Sequence, residues 1–177
     1  MKKLLYLGAI TLSLISATAC NDNRKAKNYN EKTLVDDMAL SFIKKANEAG
    51  LAEIKAATLA KSKSQNPKVV GFANMMITDH TAAGKELQQI ADKKYVAHED
   101  DVISQDHQMM IDSLSKLNGP QFDKAYMTMM VTDHAKVVAL FSDMTRNTSK
   151  TINNYVAKYL PKLQEHLNSA KSINASL

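Results

Sequence analysis

The sequence predicts a single all-α helical bundle, and three observations carry that prediction. Alanine, leucine, lysine and methionine abound, while five glycines and three prolines are all that punctuate 177 residues. This is a composition of helix formers, with few of the turn clusters that an all-β chain needs. Apolar residues also recur at three- and four-residue spacing, as in helices that bury one face. Finally, a stretch of helical pattern occurs twice. The length suits one domain with a proper core and leaves little room for a second.

Residues 1–19 stand apart. Lys2 and Lys3 form a positive start, Leu4 to Ile15 is mostly apolar, and Ser16-Ala17-Thr18-Ala19 supplies small residues. The apolar run is too short to span a membrane and reads as a secretory signal, excluded from the fold. Cys20 is the only cysteine, so no intramolecular disulfide is available. Ala17-Thr18-Ala19-Cys20 resembles the lipobox of bacterial lipoproteins, although Leu is usual where Ala17 stands. The expectation is lipidation at Cys20 and a membrane anchor. Asn21, in place of the Asp of an inner-membrane retention signal, points to the outer membrane, with the bundle in the periplasm. Ordinary cleavage after Ala19 is the alternative, and gives a soluble periplasmic protein.

The polar segment 20–30 reads as a lipidated flexible tether, and the bundle as 31–175. A first helix is expected from Glu31 to Lys63, capped by Asn30. Asn66 and Pro67 mark the start of a second, running to about Tyr95. A polar connection around His98 leads into a third, ending near Asn118. Gly119-Pro120 opens a fourth, running to about Arg146. A fifth occupies Lys150 to Asn174, and Pro161 inside it predicts a kink. Setting aside Lys2 and Lys3 leaves 21 basic against 18 acidic residues, a net charge of +3. The lysines are spread along all the helices and read as solvated faces, with no basic-aromatic patch for nucleic acid.

The internal repeat is the strongest signal. Phe72 to His80 (FANMMITDH) aligns with Tyr126 to His134 (YMTMMVTDH) at an offset of 54. The first and second helices therefore read as one hairpin, and the third and fourth as its copy. His80 and His134 each fall mid-stripe on an inward face, with Met76 and Met130 one turn earlier. His166 repeats the pattern on the fifth helix, His107 sits on the third, and Glu53 lies on a small-residue face of the first. These five are the candidate metal ligands. Imidazole with neighbouring thioether points to copper or another transition metal. Asp79 and Asp133 lie about 100° around the helix from their histidines, so a supporting role suits them, as it does Met76 and Met130. Against this, inward histidines also serve as hydrogen-bonded core residues, and Met pairs as core filler. Tyr126, Tyr155 and Tyr159 read as packing residues with their hydroxyls at the rim.

With these residues in view, the chain resembles the bacterial domain-of-unknown-function family 4142, grouped with ferritin-like bundles. The resemblance covers roughly Phe42 to Ala170. It rests on Ala52-Glu53, Val69-Val70-Gly71-Phe72-Ala73 with Met76 and Asp79-His80, and His107-Gln108. It continues through Leu117 to Asp123 with Tyr126, Asp133-His134 with Leu140-Phe141, and Leu160 to Leu163 with His166-Leu167. It implies a ferritin-like four-helix core with an additional short helix, and a place in the cell envelope. A related group of exported bundles rich in Met and His binds copper, which supports that metal by analogy.

Ferritin-like di-iron sites need Glu-x-x-His on two helices. The positions three before His80, His134 and His166 are Ile77, Val131 and Leu163, so that chemistry is not encoded. Nor does the chain carry G-x-S-x-G, a P-loop, a dinucleotide fingerprint or H-E-x-x-H, and an enzyme is the weakest reading. The leading expectation is an envelope-anchored bundle that binds or buffers a metal ion. The alternative is a structural or interaction module without metal.

Overall fold

The computed structural model describes residues 22–94 and 102–177. The signal segment, Cys20 and His98 lie outside them. The described residues form α1 (Asp22–Lys63), α2 (Pro67–Lys94), α3 (Gln105–Ser115), α4 (Gly119–Asp143) and α5 (Lys150–Ser176). A 3₁₀ turn, Met144–Arg146, follows α4. No strand occurs among the described residues. This is the all-α four-helix bundle with an additional short helix that the sequence predicts.

The helix boundaries follow local chemistry. α2 starts at Pro67, and Asn66 Oδ1 accepts from the Lys68 amide at 3.0 Å, so the cap and the helix-start proline act together. Ser104 caps α3 by accepting from the His107 amide at 3.3 Å. Gly119, with φ of 55°, turns the chain into α4 in the left-handed region that glycine enters without strain. α5 runs through Pro161 to Ser176 without interruption. α1 begins at Asp22 rather than Glu31, so Asn30 lies inside a helix instead of capping one. The segment 22–30 has no Gly or Pro and contains Lys, Arg and Ala, which lets the helix extend backwards.

Two apolar clusters show how the helices run. One joins the middle of α1 (Phe42, Ile43) to the late parts of α2 (Leu87) and α4 (Phe141) and the early part of α5 (Ile152, Tyr155). The other joins late α1 (Ala56, Ala60), early α2 (Phe72), early α4 (Phe122, Tyr126) and late α5 (Ala170). α1 and α5 therefore point one way, and α2 and α4 the other. α1 packs mainly along α2, and α4 along α5.

The two repeated segments thus sit on different hairpins, α1–α2 and α4–α5. α3 cannot serve α4 as α1 serves α2, because its 11 residues span only about 16 Å. It instead belongs to the crossover from α2 back to the start of α4, tucking Ile111 and Leu114 into the second cluster. Alanines 52, 56, 57 and 60 are fully buried on α1, and their small size lets α2 approach closely. The first cluster is anchored by Phe42, whose ring meets Phe141 edge-on at 5.0 Å and Tyr155 at 6.3 Å.

Candidate metal centre

Between the two apolar clusters lies a polar layer, to which each long helix gives one residue. α1 supplies Glu53, α2 His80, α4 His134 and α5 His166, and all four are buried. The helical stripes dictate this, since Met76, His80 and Leu87 share one face of α2, and Met130, His134 and Phe141 one face of α4. The three imidazole centroids form a triangle with every side 5.5 Å. One nitrogen from each ring lies within 4.8 Å of one from each of the others.

Each ring has one nitrogen facing a neighbouring group and one left over. His166 Nε2 donates to Asp79 Oδ2 at 2.9 Å. His134 Nδ1 donates to the Met130 carbonyl at 3.0 Å and approaches Glu53 Oε1 at 3.2 Å. His80 Nδ1 stands 3.1 Å from Glu53 Oε2. The Glu53 carboxylate thus straddles two rings at ion-pair distance. The approaches lack hydrogen-bond alignment, and both Glu53 oxygens remain without a hydrogen-bond partner. The remaining nitrogens, His80 Nε2, His134 Nε2 and His166 Nδ1, are buried without any partner. Orphaned buried polar atoms are costly and rare. Three of them, one per ring, form a set of lone pairs.

Burial keeps these rings neutral, the form that binds metal. It pushes His80 well below the ordinary imidazole value, helped by His134 and His166. Burial and His166 push His134 down to about 4, against the upward pull of its bond to Met130. His166 is also lowered by burial, with Asp79 pulling the other way. Burial, then Asp133 and Glu48, push Glu53 well above the usual carboxylate range. A cation among the rings would offset that penalty.

The donor set fits a transition metal. With metal–nitrogen bonds of about 2.0–2.1 Å, the ring centroids of a three-histidine site stand roughly 5.2–5.5 Å apart. That is the spacing found here, so closure on an ion calls for rotating the rings rather than moving the helices.

His107 is not part of this triangle. Its Nδ1 lies 2.6 Å from Glu48 Oε1, and its Nε2 3.6 Å from Asp133 Oδ2. It links α3 to α1 and α4 on the other side of the layer. Asp133 faces His107 and Lys136 (3.3 Å), whereas Asp79 holds His166. The two aspartates of the repeat thus serve different rings. Met76 and Met130 are fully buried in the apolar cluster below the layer. Glu48 had no signal in the sequence to separate it from other carboxylates on α1. Tyr159 donates from its hydroxyl to Glu86 at 2.9 Å, and Tyr155 to the Ala83 carbonyl at 3.1 Å. Tyr126 departs from the expected rim position. It is fully buried, its hydroxyl has no partner, and its ring sits between Phe72 and Phe122.

Two solved structures share this architecture. A DUF305 fragment from Deinococcus radiodurans superposes with a TM-score of 0.71 at 14% identity, over 79% of this chain and 97% of that one. CopM in its Cu(II)-bound form gives 0.68 at 19% identity, over 78% of this chain and 96% of that one. At such identities the likeness shows a common helical-bundle fold. No curated protein matches the sequence. The match to a family model over residues 24–173 is decisive for kinship: this chain belongs to the domain of unknown function family DUF4142.

Proposed function

We propose that this protein binds a single transition-metal ion through His80, His134 and His166, inside a helical bundle held in the cell envelope. One observation carries the reading. Three neutral buried imidazoles, one from each of three helices, converge with an unpartnered nitrogen apiece, while Asp79 and Glu53 face the opposite nitrogens. A carboxylate behind a histidine is the usual support of a metal-ligating ring, because it sets the tautomer and raises ligand basicity. An all-imidazole set favours copper(II) over zinc, nickel or iron by intrinsic affinity. The copper-bound state of CopM, a structural neighbour, agrees with that choice. The role is storage or buffering of the ion.

The test is a titration of the protein with Cu(II), Zn(II) and Fe(II), repeated on His80→Ala/His134→Ala. One equivalent bound, with thermal stabilisation that the double variant lacks, supports the reading. No stoichiometric binding by the wild type ends it and leaves a structural module.

The envelope location rests on the signal-like segment 1–19 and the lipobox-like Ala17–Cys20. No described helix is long and apolar enough to cross a membrane. Cys20→Ala should release the protein from the outer-membrane fraction, whereas unchanged fractionation favours cleavage after Ala19.

A further inference from the structure

A cavity adjoins the histidine layer on the side of the first apolar cluster. His80 and His166 line one end together with Glu53. Its walls are apolar, with Leu51, Val137, Phe141 and Leu163, and it reaches the surface beside Asn47, Gly84 and exposed Lys162. It offers about 50 Å³ to the centres of water molecules. That is room for more than one water, so the space takes a small ligand of a few heavy atoms.

Two glycines line it. Gly50 on α1 faces His80, and a Cβ there would lie 3.8 Å from His80 Nδ1. Gly84, one turn beyond His80 on α2, lines the same space, and a Cβ there would meet nothing within 4 Å. Glycine in mid-helix is destabilising relative to alanine, and at Gly84 no packing contact accounts for it.

Three protein ligands, two of which (His80 and His166) line an accessible cavity, fit an open coordination position rather than a closed structural site. We infer that the site exchanges a small exogenous ligand through this cavity, a compact Lewis base bound to the ion. The inference rests on the metal-binding reading and adds to it a chemical class of ligand. The surrounding wall is mostly apolar, with Lys162 and its partner Asp79 toward the mouth, and suits a compact ligand of low charge.

The experiment uses the Cu(II)-loaded protein and sodium azide as probe, read by visible absorption and electron paramagnetic resonance. The expected result is a saturable azide-to-copper charge-transfer band at one azide per ion. Gly84→Leu, which fills the cavity and favours the helix, should leave copper binding intact and weaken azide at least about tenfold, with Gly84→Ala in between. A copper spectrum that azide leaves unchanged overturns the inference while the metal reading stands. So does azide binding of equal strength in folded Gly84→Leu and wild type. Absence of any copper spectrum before azide is added overturns both.

Discussion

His166 turns its Nε2 toward Asp79, 2.9 Å away, and so presents Nδ1 as its unpartnered buried nitrogen. His134 does the reverse, with Nδ1 bonded to the Met130 carbonyl and Nε2 left over, and His80 also leaves Nε2 unpartnered. The fold therefore selects a different tautomer for His166 from that of His134, and a carboxylate makes that selection for His166.

Removing that carboxylate should loosen the proposed metal site without unfolding the bundle, because Asp79 is only part-buried. Asp79→Ala is expected to weaken metal binding by roughly 10–100-fold, as measured by competition with a chelator of known affinity. Lys162→Ala, which removes the surface partner of the same aspartate (3.4 Å), should change affinity far less. Equal losses in the two variants would show that Asp79 acts through surface charge, not through the ring.

The pH dependence of the metal-free fold has two opposed parts. His134 has a folded value of about 4 against about 6.5 unfolded, and His80 is depressed as well. The unfolded chain takes up these protons first, so stability falls as pH drops below about 6.5, by on the order of 3 kcal/mol for His134 alone once pH is below 4. Glu53 is raised, so the unfolded chain loses its proton first and stability declines as pH rises above about 4.5. Glu53→Gln should abolish the second decline, leaving stability that climbs to about pH 6.5 and then levels. It should also weaken metal binding, since an amide cannot supply the negative charge that the carboxylate can place beside both rings. Urea unfolding across pH 4–8 checks the first effect, and metal titration the second.

His107 is expected to matter for stability and not for the ion. His107→Ala deprives Glu48 and buried Asp133 of their imidazole neighbour, at a cost of about 1–3 kcal/mol. Metal stoichiometry should stay at one. A variant that folds but binds no metal would bring His107 into the ligand set.

Tyr126 carries a buried hydroxyl without a partner, and burial pushes its ionisation far upward. Tyr126→Phe keeps the stacking on Phe122 and removes an unsatisfied group. It should leave stability unchanged or raise it by about 1 kcal/mol, as read from the thermal midpoint. A large loss would show that the hydroxyl has an essential partner.

The sequence by itself determined the helical class, the starts of α2 and α4 at Pro67 and Gly119, and the inward faces that carry His80, His134 and His166. Those features are local: a proline or glycine fixes the backbone where it stands, and helical periodicity sets which side chains share a face. The repeat also showed that two helices would offer the same Asp-His pair. Only the tertiary structure decided that α4 pairs with α5, that His107 falls outside the triangle, and that Asp79 supports a ring while Asp133 faces α3. It alone decided which nitrogen of each imidazole is left over. Periodicity places a side chain around its own helix axis, but distances between helices depend on how all four pack, and a histidine's tautomer depends on a neighbour that is remote in sequence.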